Sequence, residues 1–152
     1  MKKLGILLAC ILCAVFVFVG CKNQSQVKTN GSPPKSAVSG VDKNGSYTDK
    51  ERVASYIHEY KKLPGNFITK TEAKKRGWPH KGTLDKVAPG KSIGGDHFGN
   101  HEGKLPKASG LKYIECDIDY VKGNRGAKRI VYDNKGSIYY CGDHYNTFQK
   151  LY

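Results

Sequence analysis

Glu115 and His144 are the side chains of this sequence whose types and neighbours best suit proton transfer at a phosphate. Glu115 lies in Lys112-Tyr113-Ile114-Glu115-Cys116-Asp117-Ile118-Asp119-Tyr120, where apolar and polar residues alternate. As a strand, this stretch turns Ile114, Cys116, Ile118 and Tyr120 toward a core. Tyr113, Glu115, Asp117 and Asp119 then point the other way. His144 follows 29 residues later in Asp143-His144-Tyr145, after a second apolar alternation, and Arg125 and Arg129 fall between the two. A carboxylate, an imidazole and two guanidiniums on neighbouring strands suit abstraction of one proton, donation of another and retention of an anion. The arginines also have a structural alternative, which is to neutralise Asp117 and Asp119 across the sheet, with Arg129 on Asp117 as the favoured pair. Phosphate contact survives that role, because a guanidinium has donors to spare.

Two further places carry chemistry. Lys70 occupies the first turn of an expected helix, where the macrodipole disfavours a cation. Its plain alternative is an exposed lysine paired with Glu72, but a broken local rule is informative where a polyanion is expected. The second place is the glycine-rich run Lys91-Ser92-Ile93-Gly94-Gly95-Asp96-His97-Phe98-Gly99-Asn100-His101-Glu102-Gly103-Lys104-Leu105-Pro106. It is either a surface loop whose glycines permit turns or a base-binding loop. Close-set backbone N–H groups would donate to a purine O6, while Glu102 accepts from N1–H and the exocyclic amine, a pattern that fits guanine and not adenine. His80, Asp96, His97, His101 and Glu102 invite a metal reading, but the spacing of His97 and His101 needs a helix that the glycines oppose. No metal and no cofactor is expected.

The elements that must position these residues start near Ser46. Thr48-Asp49-Lys50-Glu51 has the spacing of a capping box, and Val53, Tyr56, Ile57 and Tyr60 follow as one helical face. Pro64-Gly65 is expected to stop that helix. Thr69-Lys70-Thr71-Glu72 is a second capping box, with Gly77 suited to end its short helix, and 83–87 offers another turn. From Lys91 the period changes to two, with strands expected near 91–97, 111–120, 128–133, 137–141 and 147–151 and a tight turn at Asp133-Asn134-Lys135-Gly136. Helices first and strands second predict an α+β domain: helices packed on one face of a five-stranded antiparallel sheet, the other face left open for ligand. No internal repeat is evident.

A single domain over 46–152 fits the length of 152 residues. Residues 22–45 are rich in Ser, Asn, Gly, Lys and Pro without apolar periodicity, as a flexible linker would be. In 1–21, Lys2 and Lys3 precede an apolar run from Leu4 to Val19 and then Gly20-Cys21. That order resembles a lipoprotein signal with Cys21 as the lipidated residue, an uncleaved membrane anchor being the alternative. Phe18 stands where leucine is usual. Either way the chain is expected to be exported and held at the outer face of a membrane, or secreted if the anchor is absent or cut. Without residues 1–20, which hold two lysines and no acids, the formal charge of +13 becomes +11. Such a surplus favours polyanionic partners such as nucleic acid, anionic lipid or wall polymers. Cys116 and Cys141 remain for the folded domain and could pair outside the cell, but strand parity sets their sulfurs on opposite sides of the sheet.

Four segments together are similar to the small bacterial guanyl-preferring ribonucleases of the barnase type. They are Lys62-Leu63-Pro64-Gly65-Asn66-Phe67-Ile68-Thr69-Lys70, Val87-Ala88-Pro89-Gly90-Lys91-Ser92-Ile93-Gly94-Gly95-Asp96, Asn100-His101-Glu102-Gly103-Lys104-Leu105-Pro106 and Asp143-His144-Tyr145. The resemblance implies an α+β fold and endonucleolytic cleavage of single-stranded RNA 3′ of guanosine, without a metal, through a 2′,3′-cyclic phosphate. On it, Glu115 is the general base and His144 the general acid. Lys70, Arg125 and Arg129 stabilise the charge on the phosphoryl group. Phe98, Gly99, Asn100, His101 and Glu102 form the guanine loop, and Tyr145 packs beside the substrate. RNA is the implied partner, with an acidic protein inhibitor of the barstar type as another, and the protein is expected to be a monomer. The competing reading is a non-catalytic basic module that binds RNA or wall polymer on the same scaffold. One departure stands out: the family usually has arginine where this chain has His101, which weakens the hold on an adjacent phosphate and on an acidic inhibitor.

Overall fold

In the computed structural model, residues 40–152 are described. The signal-like segment, Cys21 and the linker up to residue 39 lie outside the described residues. The first helix, α1 (Lys50–Tyr60), starts one residue later than its apparent capping box. Asp49 is the N-cap: its carboxylate accepts from Arg52 N at 3.0 Å and from Arg52 Nε at 2.6 Å. Thr48 is held outside the helix because its carbonyl receives Asp119 N at 2.7 Å. A carboxylate at this end also complements the helix dipole, as a threonine hydroxyl does not. The helix ends before Pro64, at Lys61, whose left-handed backbone (φ 56°) returns its N–H to Ile57 O. Tyr56 and Tyr60 donate their hydroxyls to Lys43 O and Val41 O, and Val41 is buried, so packing reaches upstream of Ser46.

The second helix, α2 (Lys70–Lys75), forms on the expected box. Thr69 N donates to Glu72 Oε2 at 2.7 Å and Glu72 N to Thr69 Oγ1 at 3.1 Å, satisfying two helix-end donors reciprocally. Glu72 is therefore committed to the cap and does not pair with Lys70.

The sheet has six strands in the order β1-β2-β3-β4-β5-β6. These are β1 (Phe67–Ile68), β2 (Ser92–Phe98), β3 (Tyr113–Asp117), β4 (Arg129–Asp133), β5 (Ile138–Cys141) and β6 (Gln149–Lys150). Strands β2 to β6 form the expected antiparallel set, and the sixth strand, β1, joins β2 in parallel at the edge. Two residues leave no period-two pattern, which is why the sequence did not reveal it. Strand β3 is shorter than the alternation suggests, because Asp119 adopts φ 58° and leaves the ladder. A bulge between Gly94 and Asp96, with Gly95 at φ 99°, bends β2 where it faces Glu115. Gly94 must lack a side chain: a Cβ there would stand 2.6 Å from Cys116 Cβ and 2.7 Å from the Phe67 ring.

One face of the sheet meets the helices. Val53, Ala54 and Ile57 of α1 pack on Cys116, Ile118, Ile130, Tyr132 and Ile138, and Ala73 of α2 joins Trp78, Leu84, Ile93 and Tyr120. The opposite face, expected from the sequence to be open for ligand, is partly covered. Leu105 from the loop after β2 packs there with Tyr113, Val131 and Tyr139. That apolar patch covers one end of the face and leaves Glu115, Asp117 and Arg129 at the other. The register puts Cys141 opposite Arg129 and Cys116 opposite Ile130, on different faces; both thiols are buried and free.

Replacing Thr69 by alanine should cost about 1 kcal/mol of unfolding free energy, read by urea titration, since it removes one arm of the capping box of α2. An unchanged midpoint would show that the cap does not hold α2.

Candidate active site

The uncovered end of the sheet face is built around two buried carboxylates two residues apart on β3. Asp117, 2% exposed, receives Arg125 Nε at 2.6 Å and Nη2 at 2.7 Å, a two-point grip, and Arg129 Nε at 3.1 Å. The sequence favoured Arg129 as its partner; both arginines share it, and Arg125 holds it more closely. Arg129 is itself 3% exposed, and its Nη1 donates to Gly126 O and Lys128 O, both at 2.7 Å. Asp119 takes Lys128 instead, at 2.6 Å on the surface.

Glu115 is 7% exposed, and a different donor faces each of its oxygens. Lys70 Nζ lies 2.5 Å from Oε1 and the Tyr145 hydroxyl 2.6 Å from Oε2. Arg129 Nε also donates to the Tyr145 hydroxyl at 3.1 Å, so the second arginine reaches Glu115 through the phenol. Burial, reinforced by the hydrogen bond to Glu115, pushes the Tyr145 phenol well above its usual range, which keeps it a donor. The anomalous position of Lys70 now has a physical reason. Asp96 on β2 accepts Lys70 N at 2.9 Å, and the side chain crosses to Glu115.

His144 reaches this face from the loop after β5 and is exposed. It lines a cavity of about 440 Å³ with Trp78, His80, Lys81, Gly82, Asn124, Arg125, Gly126, Ala127 and Arg129. Seven of these, Trp78, His80, Lys81, Gly82, Asn124, Gly126 and Ala127, were not among the site residues expected from sequence. They come from loops whose approach no local pattern announces. Arg125 stacks 5.9 Å over the Trp78 ring, which helps hold its guanidinium at the cavity wall.

A second cavity, of about 210 Å³, is lined by His97, Phe98, Gly99, Asn100, His101, Glu102, Lys104, Tyr145 and Phe148. All five expected base-loop residues are in it. Tyr145 stacks on Phe98 with ring centroids 5.3 Å apart, so the residue that touches Glu115 is also a wall of this cavity. Asn100 is buried, with φ 46°, and its side-chain amide clasps Leu105 through bonds to O (2.8 Å) and from N (3.0 Å). It shapes the loop instead of presenting its amide to a ligand. The Glu102 carboxylate is exposed but meets Lys104 at 2.6 Å, and the lysine hydrogen bond lowers its pKa. The His101 ring lies against Gly99.

Asp143 is a further residue that sequence reasoning passed over. Its carboxylate accepts from Thr147 N (2.9 Å), Thr147 Oγ1 (2.7 Å) and Asn146 N (3.1 Å). Those bonds, led by the Thr147 N–H, hold its pKa at about 2. Inside this turn His144 and Tyr145 both have positive φ, 55° and 70°, a conformation that costs a non-glycine residue roughly 1–2 kcal/mol each. The Asp143 signature, an Asp four residues before Thr147, is visible in the sequence but common in ordinary turns. Among the described residues no three histidine, cysteine or carboxylate side chains cluster as metal ligands would.

The structure thus brings to one sheet face a buried carboxylate held by Lys70 and Tyr145, a cavity lined by Arg125, Arg129 and His144, and a second, aromatic-walled cavity that Tyr145 also lines. Comparison with known proteins gives the family. The family model "Ribonuclease" matches residues 50–152, and the chain belongs to the ribonuclease family. It is 54% identical over 100 residues to a ribonuclease of Heyndrickxia coagulans, covering 65% of this chain and 92% of that one. With a ribonuclease of Bacillus intermedius it shares 46% over 128 residues, 84% of this chain and 79% of the relative. A crystal structure of ribonuclease Sa2 with guanosine-2′-cyclophosphate matches at 40% identity over 35% of this chain and 56% of that one, with a TM-score of 0.32.

Two outcomes are expected here. Asp117→Ala should lose about 3–5 kcal/mol of stability in chemical denaturation, because it leaves two guanidiniums, one of them buried, without their carboxylate. The Asp143 contribution is present above the unfolded aspartate value of about 3.9 and is lost as pH falls through the folded value. The gap in melting temperature between wild type and Asp143→Asn should therefore be full at pH 5–7 and close toward about pH 2. A gap that stays constant down to that pH would contradict the role given to this carboxylate.

Proposed function

We propose that this ribonuclease cleaves single-stranded RNA endonucleolytically, preferentially 3′ of guanosine, without a metal. Glu115 takes the proton of the ribose 2′-OH, and the 2′ oxygen attacks phosphorus. His144 protonates the departing 5′ oxygen, leaving a 2′,3′-cyclic phosphate; with the roles reversed, water then opens that ring. Lys70, Arg125 and Arg129 neutralise the charge that builds on the phosphoryl oxygens. The observation that carries the proposal is the placement of Glu115: a carboxylate sunk in the sheet face, held by Lys70 and Tyr145, and linked through the Tyr145 hydroxyl to the arginine that shares a cavity wall with His144. Both Glu115 oxygens face donors, yet each keeps a lone pair for an incoming hydroxyl. DNA lacks the 2′-OH this scheme needs and should not be cut.

Guanine selectivity is assigned to the smaller cavity. Phe98 and Tyr145 offer flat faces for stacking, backbone N–H groups of 99–102 suit O6, and Glu102 suits the N1–H and amine edge. Lys104 pairs with Glu102 and must be displaced or shared when a base enters. His101 supplies less fixed charge than an arginine would, so the neighbouring phosphate and any acidic inhibitor are held less firmly. Export through a lipidated Cys21 and a monomeric state complete the proposal; they rest on sequence alone.

Digestion of RNA by the purified protein with a chelator present should proceed and yield cyclic-phosphate ends. Glu115→Ala and His144→Ala should each lower kcat/KM by about 100-fold or more. A fully active His144→Ala protein would overturn the acid–base assignment, and loss of activity in chelator would overturn metal independence. Equal rates at GpN and ApN steps would remove the guanine preference.

A further inference from the structure

We infer that Cys141 is a positioning residue for the acid–base site, its buried thiol fixing the loop that presents His144 and Tyr145. The inference rests on the ribonuclease reading for its catalytic consequence and on geometry for the rest. Cys141 ends β5 on the catalytic face, opposite Arg129 in the register, and is 1% exposed. Its Sγ accepts the Tyr145 N–H at 2.8 Å and donates to Asp143 Oδ1 at 3.2 Å. One atom thus joins the two residues that bracket His144. Burial raises the thiol's pKa, so it keeps the proton with which it donates.

The position of that atom matters because the loop is strained and two-sided. His144 and Tyr145 occupy the left-handed region consecutively, a backbone that persists only where surroundings over-determine it. Asp143 secures the far side through Asn146 and Thr147, while Cys141 secures the near side from the strand. Released there, Tyr145 N–H becomes a half-buried donor without its acceptor, and the loop shifts to satisfy it. Such a shift moves the His144 imidazole and the phenol seated on Glu115 together, without touching substrate.

Cys141→Ala and Cys141→Ser separate this role from packing, since serine keeps both a donor and an acceptor and alanine keeps neither. On a GpN substrate, Cys141→Ala should lower kcat by about tenfold or more with KM within about twofold, and Cys141→Ser should stay within about threefold of wild type. A second readout needs no activity: the midpoint of the His144 ring-proton NMR titration, assigned through its loss in His144→Gln. It should move in Cys141→Ala and return in Cys141→Ser. An unchanged kcat and midpoint in Cys141→Ala would overturn the inference, as would equal damage in the alanine and serine variants. If the wild-type protein cleaves no RNA, the ribonuclease reading fails by itself, and the imidazole titration still decides the positioning role.

Discussion

The catalytic face depends on one buried carboxylate. Asp117 lies inside the sheet surface with Arg125 and Arg129 drawn onto it, from the loop before β4 and from β4 itself. Without that charge, two guanidiniums close together would repel each other, and burying Arg129 would be costly. With it, they become a rigid cationic surface beside Glu115. Arg129 then passes the constraint on by donating to the Tyr145 hydroxyl, which in turn donates to Glu115. Lys70 closes the opposite side. Lys70, Arg125 and Arg129 are thus each oriented by a protein anion, which in the proposed reaction would lower the reorganisation required in the transition state.

The same economy of contacts links catalysis to base binding. Tyr145 is a hydrogen-bond partner of Glu115, a stacking partner of Phe98 and a wall of the smaller cavity. In the proposed function, a base seated against Phe98 would be sensed at the carboxylate through a single ring. The loop that carries Tyr145 is strained at two consecutive residues and secured at both ends, so its stability and the site's geometry are one quantity.

The sequence made much of this legible where the signal was local. The alternation around Glu115 gave the face of every residue from Ile114 to Asp117, because a strand has a period of two and the hydrophobic core sits on one side. The Thr69–Glu72 box was readable for the same reason: its four groups lie within one turn. Local signals also misled. Thr48 had the right spacing for a cap but lost to Asp49, because a distant residue, Asp119, took the Thr48 carbonyl. The role of the Asn100 side chain was not readable either, since its amide clasps Leu105 within its own loop.

By itself the sequence determined the fold class, the five antiparallel strands, the side of the sheet that carries Glu115 and the charge excess of the domain. Those follow from periodicity, capping and composition, which depend on neighbours in the chain. Only the tertiary structure decided how the two arginines divide Asp117, that Lys70 reaches Glu115 and that Tyr145 bridges base cavity and carboxylate. It also decided that Cys141 lies under the His144 loop. Each of these contacts joins residues far apart in sequence or turns on an angle, and hydrogen bonds fall off within a fraction of an ångström. Spacing along a chain carries no such information until the sheet fixes which strands are neighbours.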